Sequence, residues 1–359
     1  MKYREKRNEK RYGSGLSRSP REYSGTQNAF GASQRSRSVS LAVNKNKMFV
    51  GVDHGTVGIR FAVRDADEVR VFVLARREAA GMDGNDILRE VAEGLEIKTE
   101  EIELAALTYS MGDGFSTIKD IKTVRNRGVV SVEGAGAKVG GGTKVFNAIM
   151  TANIPAIMIP GLHAGTERID HRMKFFSHCA SPEKVGVAYH IYKKGFEHFI
   201  FSDVSSNTVT MCVAGGVIIG AIDACLGSPG LYHGPIDLQL LRDIDCGKLS
   251  ANEAFSSAGV LRKSWLNEKE DELALDALAL FVAMEISAMC VLINDYGKST
   301  YEVFLTGSAG DNQEMKSKID KLLGVKTNTL TRYSAAIGSA EIAEDVFHGV
   351  KNILGIEVE

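Results

Sequence analysis

The chain has 359 residues, of which 44% are hydrophobic and 25% are charged, and its formal net charge is −2. This composition excludes a wholly disordered protein, and the length is enough for two substantial cores. No apolar run reaches the ~18 residues of a membrane-spanning helix, so we predict no membrane partner. Five widely spaced cysteines without a CxxC pair argue against disulfides and structural zinc, which favours a cytoplasmic location.

The first 47 residues differ from the rest in charge. They carry 12 Lys+Arg and 3 Asp+Glu, a formal +9, which leaves −11 for residues 48–359. Because this segment is rich in Ser, Arg, Gly and Asn and lacks apolar periodicity, we predict a disordered basic tail. Met48 directly precedes an apolar strand pattern, so residues 1–47 can also be an artefact of an early start codon. We favour that interpretation over a nucleic-acid-binding arm.

From Met48 onward the same order of elements occurs twice. In each half, three strands are predicted to form a meander that leads into a helix and then an apolar strand. In the first half these are strands 48–53, 59–65 and 68–75, a helix around 85–94 and a strand within 103–114. In the second they are strands 198–203, 208–214 and 216–223, a helix over 272–294 and a strand within 301–310. The repeat predicts two similar α/β lobes, 48–160 and 161–359, facing each other across a central cleft.

Each repeat places a carboxylate at the end of its first strand, Asp53 in one lobe and Asp203 in the other. Carboxylates suit a hydrated Mg²⁺, and a glycine-containing turn lets the backbone approach a bound phosphate. The two turns therefore predict a clamp on Mg²⁺ and a polyphosphate chain. The groups expected to contact phosphate are those of Gly55, Thr56, Ser205 and Ser206.

Four segments in chain order resemble the motifs of the acetate and sugar kinase, Hsp70 and actin superfamily. VGVDHGTVGIRFAV and FSDVSSNTVTMCV are similar to its two phosphate motifs, FLTGSAG to its adenosine motif and SAAIGSAEIAEDV to its closing connecting helix. The resemblance implies two duplicated ribonuclease H-like (actin-like ATPase) lobes that hold ATP and Mg²⁺ in the cleft. It also implies an adenosine site bordered by small residues, Gly307, Ser308 and Gly310, and close helix packing through Ala336, Gly338 and Ala340.

Two further resemblances narrow the class. GGTKVFNAI and GAIDACLGSPGLYHGPID are similar to segments of acetate and butyrate kinases, which implies phosphoryl transfer to a small carboxylate-type acceptor. MIPGLH, with Pro160 and His163, stands where those kinases have an acidic residue, and Asp203, Ser205 and Ser206 replace their His and paired glycines. Residues 48–359 also resemble methanogenesis marker protein 12, an archaeal family, which implies a link to methanogenesis.

The segment 161–179 holds the densest polar cluster outside the two turns. Its arginines and histidines suit an anionic acceptor, because a guanidinium presents a planar fork of donors, although a solvated helix surface is an equal interpretation. Its histidines lack the i, i+4 spacing of a metal pair. We expect Arg168 and His163 to lie beside the acceptor and to share catalysis with Asp53 and Asp203.

Three functions fit these patterns. The first is an ATP-dependent phosphotransferase, which the GGT and GSPG segments favour. The second is a nucleotide-dependent switch or assembly factor acting on a protein partner of the methanogenesis machinery, which the departures from the kinase pattern favour. The third is a nucleotide-free scaffold that keeps only the fold. A homodimer is compatible with all three.

Overall fold

A computed structural model of the chain describes residues 3–6, 47–65, 68–109, 111–133, 139–263 and 271–359. The predicted disordered tail lies outside these residues, apart from residues 3–6, which form a short strand, and Lys47. Disorder therefore stays a prediction for residues 7–46.

The described residues alternate strands and helices along the chain. The strands are β1 Tyr3–Lys6, β2 Met48–Asp53, β3 Gly58–Asp65, β4 Glu68–Ala75, β5 Ile102–Thr108, β6 Lys119–Asp120, β7 Ala156–Ile159, β8 Leu162–His163, β9 His178–Ala180, β10 Phe199–Val204, β11 Thr208–Ala214, β12 Val217–Ile222, β13 Glu302–Thr306, β14 Asn328–Thr329, β15 Asn352–Ile353 and β16 Ile356–Glu357. The helices are α1 Arg76–Gly81, α2 Gly84–Leu95, α3 Gly141–Thr151, α4 Glu183–Lys193, α5 Leu238–Asp245, α6 Ala251–Ser257, α7 Asp271–Asp295, α8 Gly307–Gly310, α9 Gln313–Leu323 and α10 Ser334–Phe347.

The two main sheets have the same internal order. The first runs β1-β4-β3-β2-β5-β7-β6 and the second β12-β11-β10-β13-β14. In both, an antiparallel meander is extended by parallel strands, β5 and β7 beside β2, and β13 and β14 beside β10. The predicted duplication of α/β lobes is confirmed. Both late strands end earlier than predicted, at Thr108 and Thr306, where the chain leaves the sheet.

Helices cover both faces of each sheet, so the central strands are apolar along their whole length. Helices α2 and α3 pack on the outer face of the first sheet, and α7 and α9 on the outer face of the second. Between the sheets, α4 and α10 share one core with residues of both, including Phe49 and Phe201. Among the described residues, α7 alone is long and apolar enough to cross a membrane, and half of its most apolar stretch is buried.

Helix α10 touches α4 and β2 at backbone distance. A Cβ on Gly338 would lie 1.8 Å from the carbonyl oxygen of Gly186 on α4, and a Cβ on Gly51 would lie 1.9 Å from the carbonyl oxygen of Ala336. Both separations are far shorter than any van der Waals contact, so these positions admit glycine alone. The close packing predicted for Ala336, Gly338 and Ala340 is present, with α4 as the partner helix.

A buried ionic network joins the same elements. Arg64 on β3 donates to Glu341 at 3.2 Å and to Glu344 at 2.8 Å, both on α10. The other oxygen of Glu341 lies 3.0 Å from His190 Nδ1 on α4. The last residues also return to the first lobe, since Ile118 pairs with Val358. The first sheet contains no strand later than β7 and the second begins with β10, while the chain end packs against both. The lobe boundary at 160/161 stays a prediction.

Replacing Gly338 with alanine tests this contact. In an exposed helix the change would stabilise the protein, because alanine is the better helix former by about 1 kcal/mol. Here the methyl group meets the Gly186 backbone, so we expect a loss of about 1–3 kcal/mol of unfolding free energy in urea denaturation. Gly81→Ala on α1, with nothing within 4 Å of its Cβ position, is the matched control. An unfolding midpoint for Gly338→Ala at or above that of the wild type would contradict the packing.

Candidate functional site

The first turn holds a buried carboxylate with one free oxygen. Asp53, 2% exposed, ends β2, and the antiparallel register places Arg60 of β3 opposite it. Arg60 Nη1 donates to Asp53 Oδ2 at 2.9 Å. Asp53 Oδ1 is buried and has no hydrogen-bond partner among the residues that the structure describes. A buried ionised oxygen is costly unless a cation, or a water molecule bound to a cation, contacts it.

The second turn holds a carboxylate with both oxygens engaged. Asp203 Oδ2 accepts from Lys184 Nζ at 2.8 Å, and Oδ1 accepts from Ser205 Oγ at 2.8 Å. The Ser308 N–H donates to Ser205 Oγ at 3.1 Å, which seats the GSAG segment on this turn. Gly307 has φ +93°, and a Cβ there would lie 2.3 Å from Asp203 Oδ1, so only glycine fits. The structure thus brings Asp203, Ser205, Gly307 and Ser308 together.

The two turns belong to one electrostatic cluster. The charge of Lys184 acts on Asp53 as well as on Asp203, and Arg60 acts on both carboxylates. Glu183, 3.2 Å from Lys184 Nζ, is the third carboxylate. When all three acids are ionised, the two cations leave one negative charge uncompensated within the cluster, and this excess agrees with the raised pKa of Asp53.

Burial affects the two aspartates differently. It raises the pKa of Asp53, and the opposing effects of Arg60 and Lys184 do not cancel it, since Glu183 adds to the increase. Burial also acts to raise the pKa of Asp203, but Lys184 and the Ser205 hydrogen bond outweigh it and hold that pKa below its ordinary value. Burial disfavours the charged form of Lys184, yet Asp203 and Glu183 keep its pKa above the usual range. Lys184 is therefore a permanent cation between the turns.

The site fits a hydrated Mg²⁺ better than a directly caged metal. No group of three or more His, Cys, Asp or Glu side chains with metal-binding geometry occurs in the described part of the chain. Mg²⁺ retains several waters and needs only one or two carboxylates, which matches the free oxygen of Asp53 beside the negative cluster. Asp203 has its oxygens on Lys184 and Ser205, so it can reach such an ion only through water.

The other predicted phosphate and adenosine residues border the turns. A Cβ on Gly55 would lie 2.5 Å from Arg60 Nη1, which explains the glycine, and the neighbouring Thr56 is exposed. Ser206 is buried at the base of the second turn. Gly310 ends α8 and faces Val204 at 3.5 Å from its Cβ position.

The GSPG loop is fixed against the second turn rather than free. Backbone N–H groups of Tyr232 and His233 donate to the Ser206 carbonyl at 2.9 and 2.8 Å. From beneath, Glu285 of α7 accepts a hydrogen bond from the Ser228 N–H. Burial raises the pKa of Glu285 to about 7, although the Ser228 bond opposes the shift. A buried acid on α7 therefore positions the loop that supports the second turn.

His163 and Arg168 are not among the hydrogen-bond partners of Asp53 and Asp203 in the described part of the chain. His163 Nδ1 accepts from the Gly165 N–H at 3.1 Å, and Nε2 lies 3.0 Å from the carbonyl of Phe115, 48 residues earlier in the chain. Arg168 is exposed, and its aliphatic stem lies against Gly355. Neither residue is among the groups that act on the pKa of Asp53 or Asp203.

The sequence did not predict a cluster of polar side chains that lies beside the first turn. Tyr109 Oη and Thr143 Oγ1 lie 2.6 Å apart, and Arg127 Nη1 is 3.2 Å from Thr143 Oγ1. Asn126 and Arg127 have φ of +48° and +57°, left-handed conformations that non-glycine residues rarely adopt. Such backbone costs about 1–3 kcal/mol per residue and concentrates at ligand sites.

A second guanidinium reaches the same polar cluster. Arg76 Nη2 lies 2.6 Å from where a Cβ on Gly142 would stand, at the start of α3. His54, next to Asp53, packs edge-on against the Tyr109 ring with 5.0 Å between centroids. Burial and the charge of Arg76 lower the pKa of His54 to about 3, so its imidazole is neutral. The polar cluster therefore contains two cations, two hydroxyls and a neutral imidazole.

The two sheets and their paired turns have the kinase-like fold of the acetate and propionate kinases. The structure is similar to an acetate kinase from Entamoeba histolytica, with 10% identity, a TM-score of 0.56 and coverage of 83% of this chain and 100% of that one. It is also similar to a propionate kinase from Francisella tularensis, with 12% identity, a TM-score of 0.52 and coverage of 83% and 93%. These likenesses establish the fold.

The chain belongs to the UPF0285 family. It is 51% identical over 322 residues to a UPF0285 protein of Methanosarcina barkeri, an alignment that covers 86% of this chain and 98% of that protein. It is 45% identical over 331 residues to a UPF0285 protein of Methanocaldococcus jannaschii, with coverage of 86% and 98%. No protein-family profile matches the chain. Both relatives carry the UPF0285 name, so the resemblance to marker protein 12 stays a prediction.

Glu285→Gln tests the buried acid beneath the loop. Because the folded pKa is raised from 4.5 to about 7, the protonated group contributes stability fully below pH 4.5, and this contribution is lost as the pH rises through 7. A glutamine keeps an acceptor for Ser228 and cannot ionise. We expect the variant to be more stable than the wild type above pH 7, on the order of 2–3 kcal/mol in urea denaturation. A wild-type minus variant difference that is flat between pH 4.5 and 8 would show that Glu285 does not titrate there.

Proposed function

We propose that this protein binds ATP with Mg²⁺ between its lobes and transfers a phosphoryl group to a small carboxylate-type acceptor. The observation that carries the proposal is the convergence of the two strand-turns on one buried charge cluster with a free carboxylate oxygen on Asp53. In addition, the solved structures with the same fold include kinases of acetate and propionate.

In this proposal each group at the two turns has a separate role in binding the nucleotide. Asp53 Oδ1 holds a water of the hydrated Mg²⁺, which supplies charge neutralisation at the phosphates. Thr56, Ser205 and Ser206 offer donors to phosphate oxygens, and Gly307 with Ser308 leaves room for the adenosine. Lys184 is locked between Asp203 and Glu183, so its role is to fix the geometry of the second turn.

We place the acceptor at the polar cluster beside the first turn and call this proposed binding position the acceptor pocket. Arg76 and Arg127 converge on the start of α3, next to the hydroxyls of Tyr109 and Thr143. Guanidinium groups bind carboxylates through paired hydrogen bonds, and the helix N-terminus adds a favourable partial charge. The pocket adjoins His54 and therefore Asp53, which brings an acceptor oxygen to the phosphate side of the cleft. His163 and Arg168 are not part of this acceptor site.

The second candidate is a nucleotide-dependent switch for a protein partner, without kinase activity. The observation in its favour is α10, which packs against both lobes and would transmit a change in lobe closure to the outer surface. For either function we propose a cytoplasmic role linked to methanogenesis, because the relatives occur in methanogens.

Asp53→Asn tests the nucleotide site. In a thermal-shift measurement, ATP with Mg²⁺ should raise the wild-type melting temperature more than ATP alone, because a ligand at 100 times its Kd adds about 2.7 kcal/mol to the folded state. The asparagine keeps an acceptor for Arg60 but removes the negative charge, so the extra effect of Mg²⁺ should disappear. Asp86→Asn, on α2, where the partly exposed carboxylate pairs with Arg89, should behave as the wild type. An undiminished Mg²⁺ effect in Asp53→Asn would remove this residue from the site.

Arg127→Met tests the acceptor pocket in an ADP-release assay with acetate, propionate and butyrate. Loss of a charge-assisted hydrogen bond costs about 1.5–3 kcal/mol, so the KM for the carboxylate should rise at least tenfold while the KM for ATP stays the same. Arg168→Met is the control, since its exposed guanidinium lies elsewhere. If Arg168→Met raises the KM and Arg127→Met does not, the acceptor site is the one predicted from sequence. Nucleotide stabilisation without carboxylate-dependent turnover would support the switch.

A further inference from the structure

The outer face of α7 is apolar and exposed. Leu280, Phe281, Met284 and Val291 are 45%, 42%, 57% and 71% exposed, whereas the opposite face of the same helix is buried in the second lobe. Between residues 277 and 293 the sole charged side chain is Glu285, which points inward. A contiguous apolar stripe on a folded surface is the usual mark of an interaction site.

The stripe is regular. At 100° per residue, nine positions of α7 lie within roughly 60° on either side of Met284. They are Leu273, Ala277, Leu280, Phe281, Met284, Ser287, Ala288, Val291 and Asp295. The seven from Ala277 to Val291 are uncharged, extend over about 21 Å of the helix and form the stripe. Its large side chains Leu280 and Phe281 precede Met284, and its small ones Ser287 and Ala288 follow it.

This order is self-complementary under a two-fold rotation. If a second copy of α7 lies antiparallel with the axis at Met284, Phe281 faces Ala288 of the other copy and Leu280 faces Ser287. At the ends of the stripe, Val291 faces Ala277. Each large side chain meets a small one, which is how the side chains of packed helices interdigitate. We propose that α7 joins two copies of this chain in an antiparallel, two-fold symmetric homodimer centred on Met284.

The surroundings of the stripe fit a second copy. Asp276 forms an ion pair with Lys318 and Asp295 with Arg172, so these two carboxylates beside the stripe are paired within one chain. The apolar surface continues past the stripe onto Val325, 54% exposed, which lines the same hollow as Ser287. This continuation adds area toward the ~800 Å² per partner of a stable dimer.

A lipid surface is the competing occupant, because α7 is long and apolar enough to span a bilayer. Spanning would expose the inner face of the helix, including Leu278, Val282 and Ile286, which are fully buried against the second sheet. The opposite-size pairing about Met284 also has no purpose in lipid. Both observations favour a second protein copy.

A side-chain size exchange tests the pairing in the full-length protein. Sedimentation equilibrium should show a dimer for the wild type. Ala288→Phe places a ring against Phe281 of the other copy, so the dimer dissociation constant should rise at least tenfold. The double variant Phe281→Ala with Ala288→Phe restores one large and one small side chain per pair, and its constant should return to within about threefold of the wild type. Ala251→Phe, on the exposed start of α6, is the control and should leave the dimer intact.

A second measurement covers the case in which Ala288→Phe fails to fold. Met284→Cys puts two thiols at the proposed axis, so mild oxidation should produce a disulfide-linked dimer in excess of the wild-type background from the native cysteines. The proposal is overturned if the wild type is a monomer, if the exchange does not restore the dimer, or if the protein binds phosphatidylcholine and phosphatidylglycerol vesicles through α7 instead. None of these readouts depends on nucleotide binding.

Discussion

The structure depends on one steric constraint, the backbone contact of α10 with α4 and with β2. Three glycines, Gly51, Gly186 and Gly338, allow it, and a methyl group at any of them would overlap a backbone atom. The same contact fixes the positions of two residues of the candidate site, because each lies two residues from one of these glycines in a regular element. Asp53 follows Gly51 by two residues on β2, and Lys184 precedes Gly186 by two residues on α4. The distance between the helices therefore sets the distance between the charges of the two turns.

The buried charges at the two turns stabilise one another, so they must be considered as a group. Lys184 is buried between Asp203 and Glu183, and a buried cation without such partners would lose its proton. Arg60 likewise compensates the charge of Asp53, but it donates to Oδ2 alone and leaves Oδ1 without a hydrogen bond in the described part of the chain. The remaining negative charge is costly in a buried site unless a cation compensates it. A divalent ion that keeps its waters satisfies this requirement without a cage of direct ligands.

Much of the fold was predictable because the repeat is local in sequence. In each half, contiguous residues carry the hydrophobic patterns of the strands and helices. The order of strands in both sheets follows from these patterns. The pairing of Arg60 with Asp53 could have been predicted, because the hairpin of β2 and β3 places the two residues opposite each other. Lys184 was not, because its ion pair with Asp203 spans two elements whose packing is tertiary. The role of α4 as the counterpart of α10 was hidden by the β8 and β9 hairpin inserted before it.

The prediction of the acceptor site shows that a high local density of polar residues in the sequence does not by itself locate a binding site. The cluster around His163 and Arg168 is dense in sequence, but the His163 ring contacts backbone groups of Phe115 and Gly165, and Arg168 faces solvent. Arg76 and Arg127 are 51 residues apart and meet only because α1 and the segment before α3 converge on Thr143 and Gly142. Left-handed backbone at Arg127 has no sequence signal, since glycine is the usual residue there.

Helix α7 connects the proposed dimer to the candidate site. Alternate residues of β10 face opposite sides, with Phe199 and Phe201 toward α4 and Ile200 toward α7. A dimer through α7 would therefore join the second lobes on the side away from the cleft and leave the first lobes free to close. Neighbouring residues on the helix then serve both surfaces, because Met284 points outward to the axis while Glu285 points inward to Ser228 in the loop that supports the second turn. In such a dimer, the second turn is held by the same rigid element that fixes the two subunits, and domain closure falls to the first lobe with Asp53 and the acceptor pocket.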